Sequence, residues 1–289
     1  MKILLAEHAG FCWGVKRVVK LSHELANHKH RPIYSMGPLI HNNAVISRLK
    51  EKGIEVLPAD VSVEELQALP AASIVIIRAH GVPPEERSRL TAAGVELVDG
   101  TCPHVIQIQK KVKKAHEAGR FVLILGDKGH AEVTGLLGYC PGQGTVVSVP
   151  GDLDDVPADT PVTVVCQSTL DAESFTLITA EIKRRFADIE IADTRCDATT
   201  QRQIEAIELC GKVDAMVVIG GRNSANTNRL TQICRNHVLR TYHIETAAEL
   251  SAMDFENSAT VGVTAGASTP DWIIEEVINV LLATNNYCS

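Results

Sequence analysis

Apolar residues fall into blocks of three to five, and each block is followed by a stretch with helical spacing. Residues 3–6, 95–98 and 189–192 are three such blocks, which read as buried strands. After the first, Val15, Val18, Val19 and Leu25 form one helical face, and after the second, Val105, Ile108, Val112 and Ala115 form another. After the third, Ile204, Ile207 and Gly211 form a sparser one. A strand ending at a glycine comes next each time: residues 32–36 before Gly37, 121–125 before Gly126, and 215–219 before Gly220. A further strand with an acidic helix follows, at 55–58 and 62–66, at 146–150 and 153–155, and at 242–244 and 248–250. Residues 74–77, 162–165 and 260–263 read as closing strands. They lead into the turns Arg78-Ala79-His80-Gly81, Gln167-Ser168-Thr169 and Gly266-Ala267-Ser268. Helix starts with acidic first turns follow at Pro84-Glu85-Glu86 and Pro270-Asp271.

One cysteine stands at each corner between the leading strand and its helix. Cys12 lies in Gly10-Phe11-Cys12-Trp13-Gly14-Val15, Cys102 in Gly100-Thr101-Cys102-Pro103, and Cys196 in Thr194-Arg195-Cys196-Asp197. The glycine after the next strand follows its cysteine by 25, 24 and 24 residues. So many landmarks held in register mark an internal repeat. Alternating strands and helices predict small parallel sheets covered by helices. The expectation is an α/β fold of three similar units in a pseudo-three-fold trefoil around a central cavity. The first unit takes residues 14–98 and the second 99–193; the third takes 1–13 with 194–283, and 284–289 form a C-terminal tail. Ligands of such sheets collect at the carboxyl ends of the strands. The cysteines, the post-glycine loops and the closing turns all map there.

Charge and composition narrow the chemistry. The net charge is −7, from 28 basic and 35 acidic residues, and the basic run at 110–114 sits inside a helical pattern as a solvated face. These features argue against a nucleic-acid partner. No apolar run approaches the roughly 20 residues of a membrane span, and the first ten residues are too short for a signal peptide. The expected setting is cytoplasmic. Eight cysteines without a C-x-x-C pair fit neither a disulfide framework nor a zinc ribbon. A metal held by these cysteines must draw its ligands from distant parts of the chain. Thiolates select iron–sulfur clusters, zinc or copper(I). Three of them on a cubane cluster leave one iron with an exchangeable position, able to act as a Lewis acid and to pass electrons. Cys140, Cys166, Cys210, Cys234 and Cys288 occupy no repeat-equivalent position and read as plain thiols.

His41, His80, His130, Ser168, Ser224, Asn226 and Ser268 all map to strand-end turns and suit an anion, together with nearby helix N-termini. Each hydrogen bond to a charged group contributes about 1.5–3 kcal/mol, enough in combination for micromolar binding. Glu132 reads as the only carboxylate of the post-glycine loops and as a proton donor. His28, His30, His116 and His237 read as structural or surface residues.

The cysteine motifs, Arg78-Ala79-His80-Gly81, His130-x-Glu132, Asn223-Ser224-x-Asn226-x-Asn228-Arg229-Leu230 and Thr264-Ala265-Gly266-Ala267-Ser268 together carry a resemblance. Over almost its whole length the chain resembles the 4-hydroxy-3-methylbut-2-enyl diphosphate reductase family of the methylerythritol phosphate route to isoprenoids. The resemblance implies a [4Fe-4S] cluster on Cys12, Cys102 and Cys196, with the substrate hydroxyl at the open iron. It implies a diphosphate held by His41, His80, His130, Ser224, Asn226 and Ser268, and protons supplied through Glu132 and the Ser168 hydroxyl. Two-electron reduction then expels water and yields isopentenyl or dimethylallyl diphosphate, with a ferredoxin or flavodoxin as donor. Two positions depart from the family pattern: Ser168 stands where threonine is common, and Ala225 where a serine is expected, which removes one side-chain donor. Two other readings are a non-redox iron–sulfur hydro-lyase, which needs no reductant, and an iron–sulfur sensor, which needs a docking surface rather than an anion pocket.

Overall fold

A computed structural model describes residues 1–27, 31–58, 60–253, 255 and 258–285. Among these residues twelve strands form three four-stranded parallel sheets joined by ten α-helices. The chain divides into two compact units. One comprises Met1–Val15, His41–Val45 and Asp197–Ser289, the other Lys16–Ile40 and Ile46–Cys196.

The larger unit holds two of the sheets. The first runs β3 (Ile54–Leu57), β2 (Ile33–Met36), β4 (Ile74–Ile77), β5 (Glu96–Asp99). The second runs β7 (Gly144–Val147), β6 (Phe121–Leu125), β8 (Val162–Cys166), β9 (Ile189–Ile191). The smaller unit holds β11 (Thr241–Ile244), β10 (Ala215–Ile219), β12 (Thr260–Ala265) and β1 (Lys2–Leu5), in that order. Numbered by appearance within each copy, all three sheets read second, first, third, fourth. In the smaller unit β1 fills the fourth place, pairing parallel to β12 with Lys2 opposite Thr260. The expectation of an α/β fold with three similar units is met.

Parallel strands covered on both faces read as continuous apolar runs, and β4, β8 and β10 are buried at every position. Successive side chains point to opposite faces. Ala215, Val217 and Ile219 therefore pack with Ile273, Ile274 and Val277 of α10 (Asp271–Asn285). Met216 and Val218 face Ala206 and Leu209 of α8 (Asp197–Cys210), with Leu230 of α9 (Ala225–His237). In the β6 sheet, Leu123, Leu125 and Val164 meet Ile178 and Ile182 of α7 (Ala172–Arg185). On its other face Val122 and Ile124 meet Ile108 and Val112 of α5 (Pro103–Glu117) and Val133 of α6 (Ala131–Leu137). In the β2 sheet, Met36, Val75 and Ile77 pack on Leu66 of α3 (Val63–Gln67) and Leu90 of α4 (Pro84–Ala92). The remaining helices are α1 (Trp13–Asn27) and α2 (Asn43–Glu51).

Several expectations shift. The strand expected over 146–150 ends at Val147, because Asp152 accepts from the Ser148 and Val149 amides and bends the chain into a 3-10 turn over Pro150–Leu153. The acidic helix expected at 248–250 is likewise a 3-10 turn, Ala247–Ala252. The face expected on α8 is wrong: Ile204 and Ile207 are 46% and 45% exposed, and Gly211 lies beyond the helix end. The buried face is Thr199, Arg202, Gln203, Ala206, Leu209 and Cys210. Glu132 lies in the first turn of α6 rather than in a loop, and Asp127 is a second carboxylate after Gly126. His28, His30 and Cys288 lie outside the described residues, as do 286–289 of the tail.

Candidate active site

The three cysteine corners are built alike. Each cysteine follows the fourth strand of a sheet, and its N–H donates to the carbonyl of the second residue past the neighbouring third strand. Cys12 bonds Ala267 at 3.1 Å, Cys102 bonds Ala79 at 3.0 Å, and Cys196 bonds Ser168 at 2.9 Å. Two residues earlier, Gly10 and Gly100 donate to Ala265 and Ile77 at the end of the same third strands. At Thr194 the hydroxyl performs that role, bonding both the N–H and the carbonyl of Cys166 at 2.7 Å. A Cβ on Gly100 would stand 2.3 Å from the Ile77 carbonyl oxygen, so this corner admits only glycine. Asp99 and Asp193 tighten two of the corners by accepting from the Thr101 and Arg195 amides. A helix starts at each corner; at the first, the Val15 N–H points to the Cys12 sulfur at 3.5 Å.

All three cysteines are half-buried, whereas Cys140, Cys166, Cys210 and Cys234 are buried. Burial pushes the Cys140 thiol up to about 11 and that of Cys166 to about 12, so neither is a ready thiolate. Among the described cysteines the repeat-related three are the accessible ones.

In the larger unit, Glu132 is 2% exposed, and Ser168 grips it with two donors. The Ser168 N–H donates to Oε1 at 2.7 Å, and its hydroxyl donates to Oε2 at 2.6 Å. Burial raises the carboxyl pKa, while the Ser168 hydrogen bonds and the nearby His104 oppose the rise. Ser168 thus joins the acid to the corner of Cys196, whose N–H it receives. His130 caps α6; its Nδ1 accepts the Glu132 N–H at 3.2 Å, which assigns the ring proton of neutral His130 to Nε2. The His80 and His130 rings meet edge to face at 5.4 Å. The sequence reading missed His104, whose Nε2 donates to the Thr194 carbonyl at 2.8 Å. Its position two residues after Cys102 was the available signal.

In the smaller unit, Asn42 caps α2 through the Val45 N–H, and Ser224 caps α9 through the Thr227 N–H. Ser268 joins the two helix starts: its hydroxyl lies 3.2 Å from the His41 carbonyl and 3.4 Å from the Ser224 oxygen. Asn226 is 4% exposed, yet both atoms of its amide lack a hydrogen-bond partner. A buried amide left open costs about 1–3 kcal/mol, the mark of a group awaiting a ligand. The backbone N–H groups of a helix start beside it favour an anion. Gly266 permits this packing, since a Cβ there would lie 2.0 Å from the Thr227 hydroxyl.

Of the residues singled out in the sequence, the smaller unit gathers His41, Ser224, Asn226 and Ser268 and carries Cys12. The larger gathers His80, His130, Glu132 and Ser168 and carries Cys102 and Cys196. The chain matches the LytB protein family over residues 3–282. It is 43% identical over 286 residues to the 4-hydroxy-3-methylbut-2-enyl diphosphate reductase of Trichlorobacter lovleyi, covering 99% of each chain. It is 42% identical over 278 residues to the enzyme of that name from Aquifex aeolicus, covering 95% of this chain and 94% of the relative. A solved (E)-4-hydroxy-3-methyl-but-2-enyl diphosphate reductase, the terminal enzyme of the non-mevalonate pathway, superposes with a TM-score of 0.70 at 39% identity, over 98% of this chain and all of the other. The E-1-hydroxy-2-methyl-but-2-enyl-4-diphosphate reductase from Plasmodium falciparum superposes at 0.90 with 27% identity, over 97% of this chain and 87% of its own. With the repeated corners and this match over nearly its full length, the chain belongs to the LytB protein family.

Proposed function

We propose that the chain is an iron–sulfur oxidoreductase that reductively dehydroxylates 4-hydroxy-3-methylbut-2-enyl diphosphate to isopentenyl and dimethylallyl diphosphate. Its relatives carry that reductase name across their length. Cys12, Cys102 and Cys196 would hold a [4Fe-4S] cluster, a reading supported by their like corners and by the buried state of the other described cysteines. When bound, the cluster would supply electrons and an iron with a vacant position for the substrate oxygen.

The chain's own groups handle charge and protons. His41, Ser224, Asn226 and Ser268, with His80 and His130, bind the diphosphate, and the open amide of Asn226 takes oxygens on one side. Ala225 offers no side-chain donor there. Burial raises the pKa of the Glu132 carboxyl, which suits it to take up a proton and hand it to the substrate. Ser168 aims the carboxyl and can relay a proton through its hydroxyl. The single observation that carries this reading is the buried Glu132 held by both Ser168 donors beside the Cys196 corner. A ferredoxin or flavodoxin as electron donor and a cytoplasmic setting complete the proposal. Among the described residues no helix is long and apolar enough to cross a membrane.

The test is anaerobic purification followed by reduction with dithionite and a viologen dye in the presence of substrate. Formation of the two isoprenyl diphosphates is expected, and their absence from iron-replete protein overturns the reading. Turnover without any reductant points instead to hydro-lyase chemistry.

A further inference from the structure

Each helix led by one of the three cysteines sends a side-chain donor to the carbonyl two residues before the next cysteine. From α1, Arg17 Nη1 donates to the Gly100 carbonyl at 3.3 Å and to that of Thr101 at 3.2 Å, and Nη2 donates to Asp99 at 3.2 Å. From α5, His104 Nε2 donates to the Thr194 carbonyl at 2.8 Å. From α8, Arg202 Nη2 donates to the Gly10 carbonyl at 2.8 Å, while Nη1 anchors on Ala198 at 2.6 Å. Gly100, Thr194 and Gly10 each stand two residues before Cys102, Cys196 and Cys12. The donors themselves lie five, two and six residues after their own cysteines, so the sequence repeat does not enforce these ties.

Arg202, only 5% exposed, gives these donors to backbone carbonyls. Placing a guanidinium there is costly unless its fork is used to hold something in place. One turn further along α8, Glu205 accepts the N–H groups of Glu7 and, at 2.9 Å, His8. The strand-end turn before Cys12 is thereby held at both ends by the helix that follows Cys196.

We propose that Arg17, His104 and Arg202 are positioning residues that close a ring of ties. Each fixes one cysteine turn on the helix of the preceding cysteine, and the last helix returns to the first turn. This inference rests on the iron–sulfur reading above, and its test separates the two. Metal-free wild type, Arg17→Met, His104→Leu, His104→Gln and Arg202→Met are compared by amide hydrogen exchange. The same proteins, reconstituted anaerobically, are followed by the bleaching of their visible absorption under a chelator. Exchange in the turn of the next cysteine should accelerate roughly five- to ten-fold where one hydrogen bond is lost, and by more for Arg17→Met, which loses three. That turn is 99–102 for Arg17→Met, 194–196 for His104→Leu and 7–12 for Arg202→Met. Bleaching should quicken in the same three variants, and His104→Gln, which keeps a donor, should restore both rates. Should Arg202→Met fail to fold, His104→Leu carries the test, since it removes one bond from a half-buried side chain. Wild-type exchange in these turns, or loosening centred on the variant's own helix, overturns the ring. A wild type that takes up no iron overturns the functional reading instead.

Discussion

Burial favours the neutral form of the Glu132 carboxyl, and the two Ser168 donors only partly oppose it. A carboxyl pKa higher in the folded chain than in the unfolded one makes stability fall as pH rises from the ordinary carboxylate range through the raised value. Glu132→Gln removes that penalty while keeping an acceptor for Ser168. It should therefore melt higher than wild type at neutral pH, with the gap closing as pH drops below the carboxylate range. Its turnover should fall by about 10²–10⁴-fold, the usual contribution of a positioned acid. Melting curves across pH, paired with the reductase assay, check both; a gap over wild type no larger at pH 8 than at pH 4 contradicts the account. Glu132 stood out as a candidate from its place two residues after His130, but its burial was not legible, because the two donors that hold it come from Ser168, 36 residues away.

At the level of elements, the glycine-ended strands and two of the three cysteine-led helices were readable, because apolar periodicity reports the face that packs on a sheet. It failed on α8, where Arg202, Gln203 and Thr199 fill the buried face and two isoleucines face water. Part of that face serves hydrogen bonds to a neighbouring turn rather than packing, so hydrophobicity carried the wrong signal. Ile204→Gln should accordingly change stability by no more than about 0.5 kcal/mol. Gly100→Ala forces a methyl against the Ile77 carbonyl and Val18, and it should cost about 1–3 kcal/mol or more. Denaturant midpoints of the two variants decide the point, and a reversal of their order would contradict the assignment of faces.

Across the whole molecule, the repeat in the sequence became three sheets of one strand order, with β1 borrowed from the far end of the chain. In the other sheets, α4 and α7 lead into the fourth strand after three-residue links, 93–95 and 186–188. The matching link from α10 to β1 is the one the chain leaves open, between Asn285 and Lys2. A permuted chain that joins residue 289 to residue 1 and begins at Arg120, past the exposed Gly119 turn, should keep every strand pair. Cooperative melting within several degrees of wild type and a matching circular dichroism spectrum are expected. Collapse of the permutant would show that β1 cannot be joined to α10 as the fourth strands of the other sheets are joined to α4 and α7.

The pairing of β1 with β12 also sets an order of events. Lys2 to Leu5 leave the ribosome some 258 residues ahead of Thr260 to Val263, their partners in the sheet among the described residues. The turn bearing Cys12 donates its N–H to Ala267, so it cannot take shape before almost all of the polypeptide exists. On the proposed assignment of Cys12 to the cluster, iron loading would wait until Ala267 has been made, and a product truncated before it would display this thiol in an unformed corner.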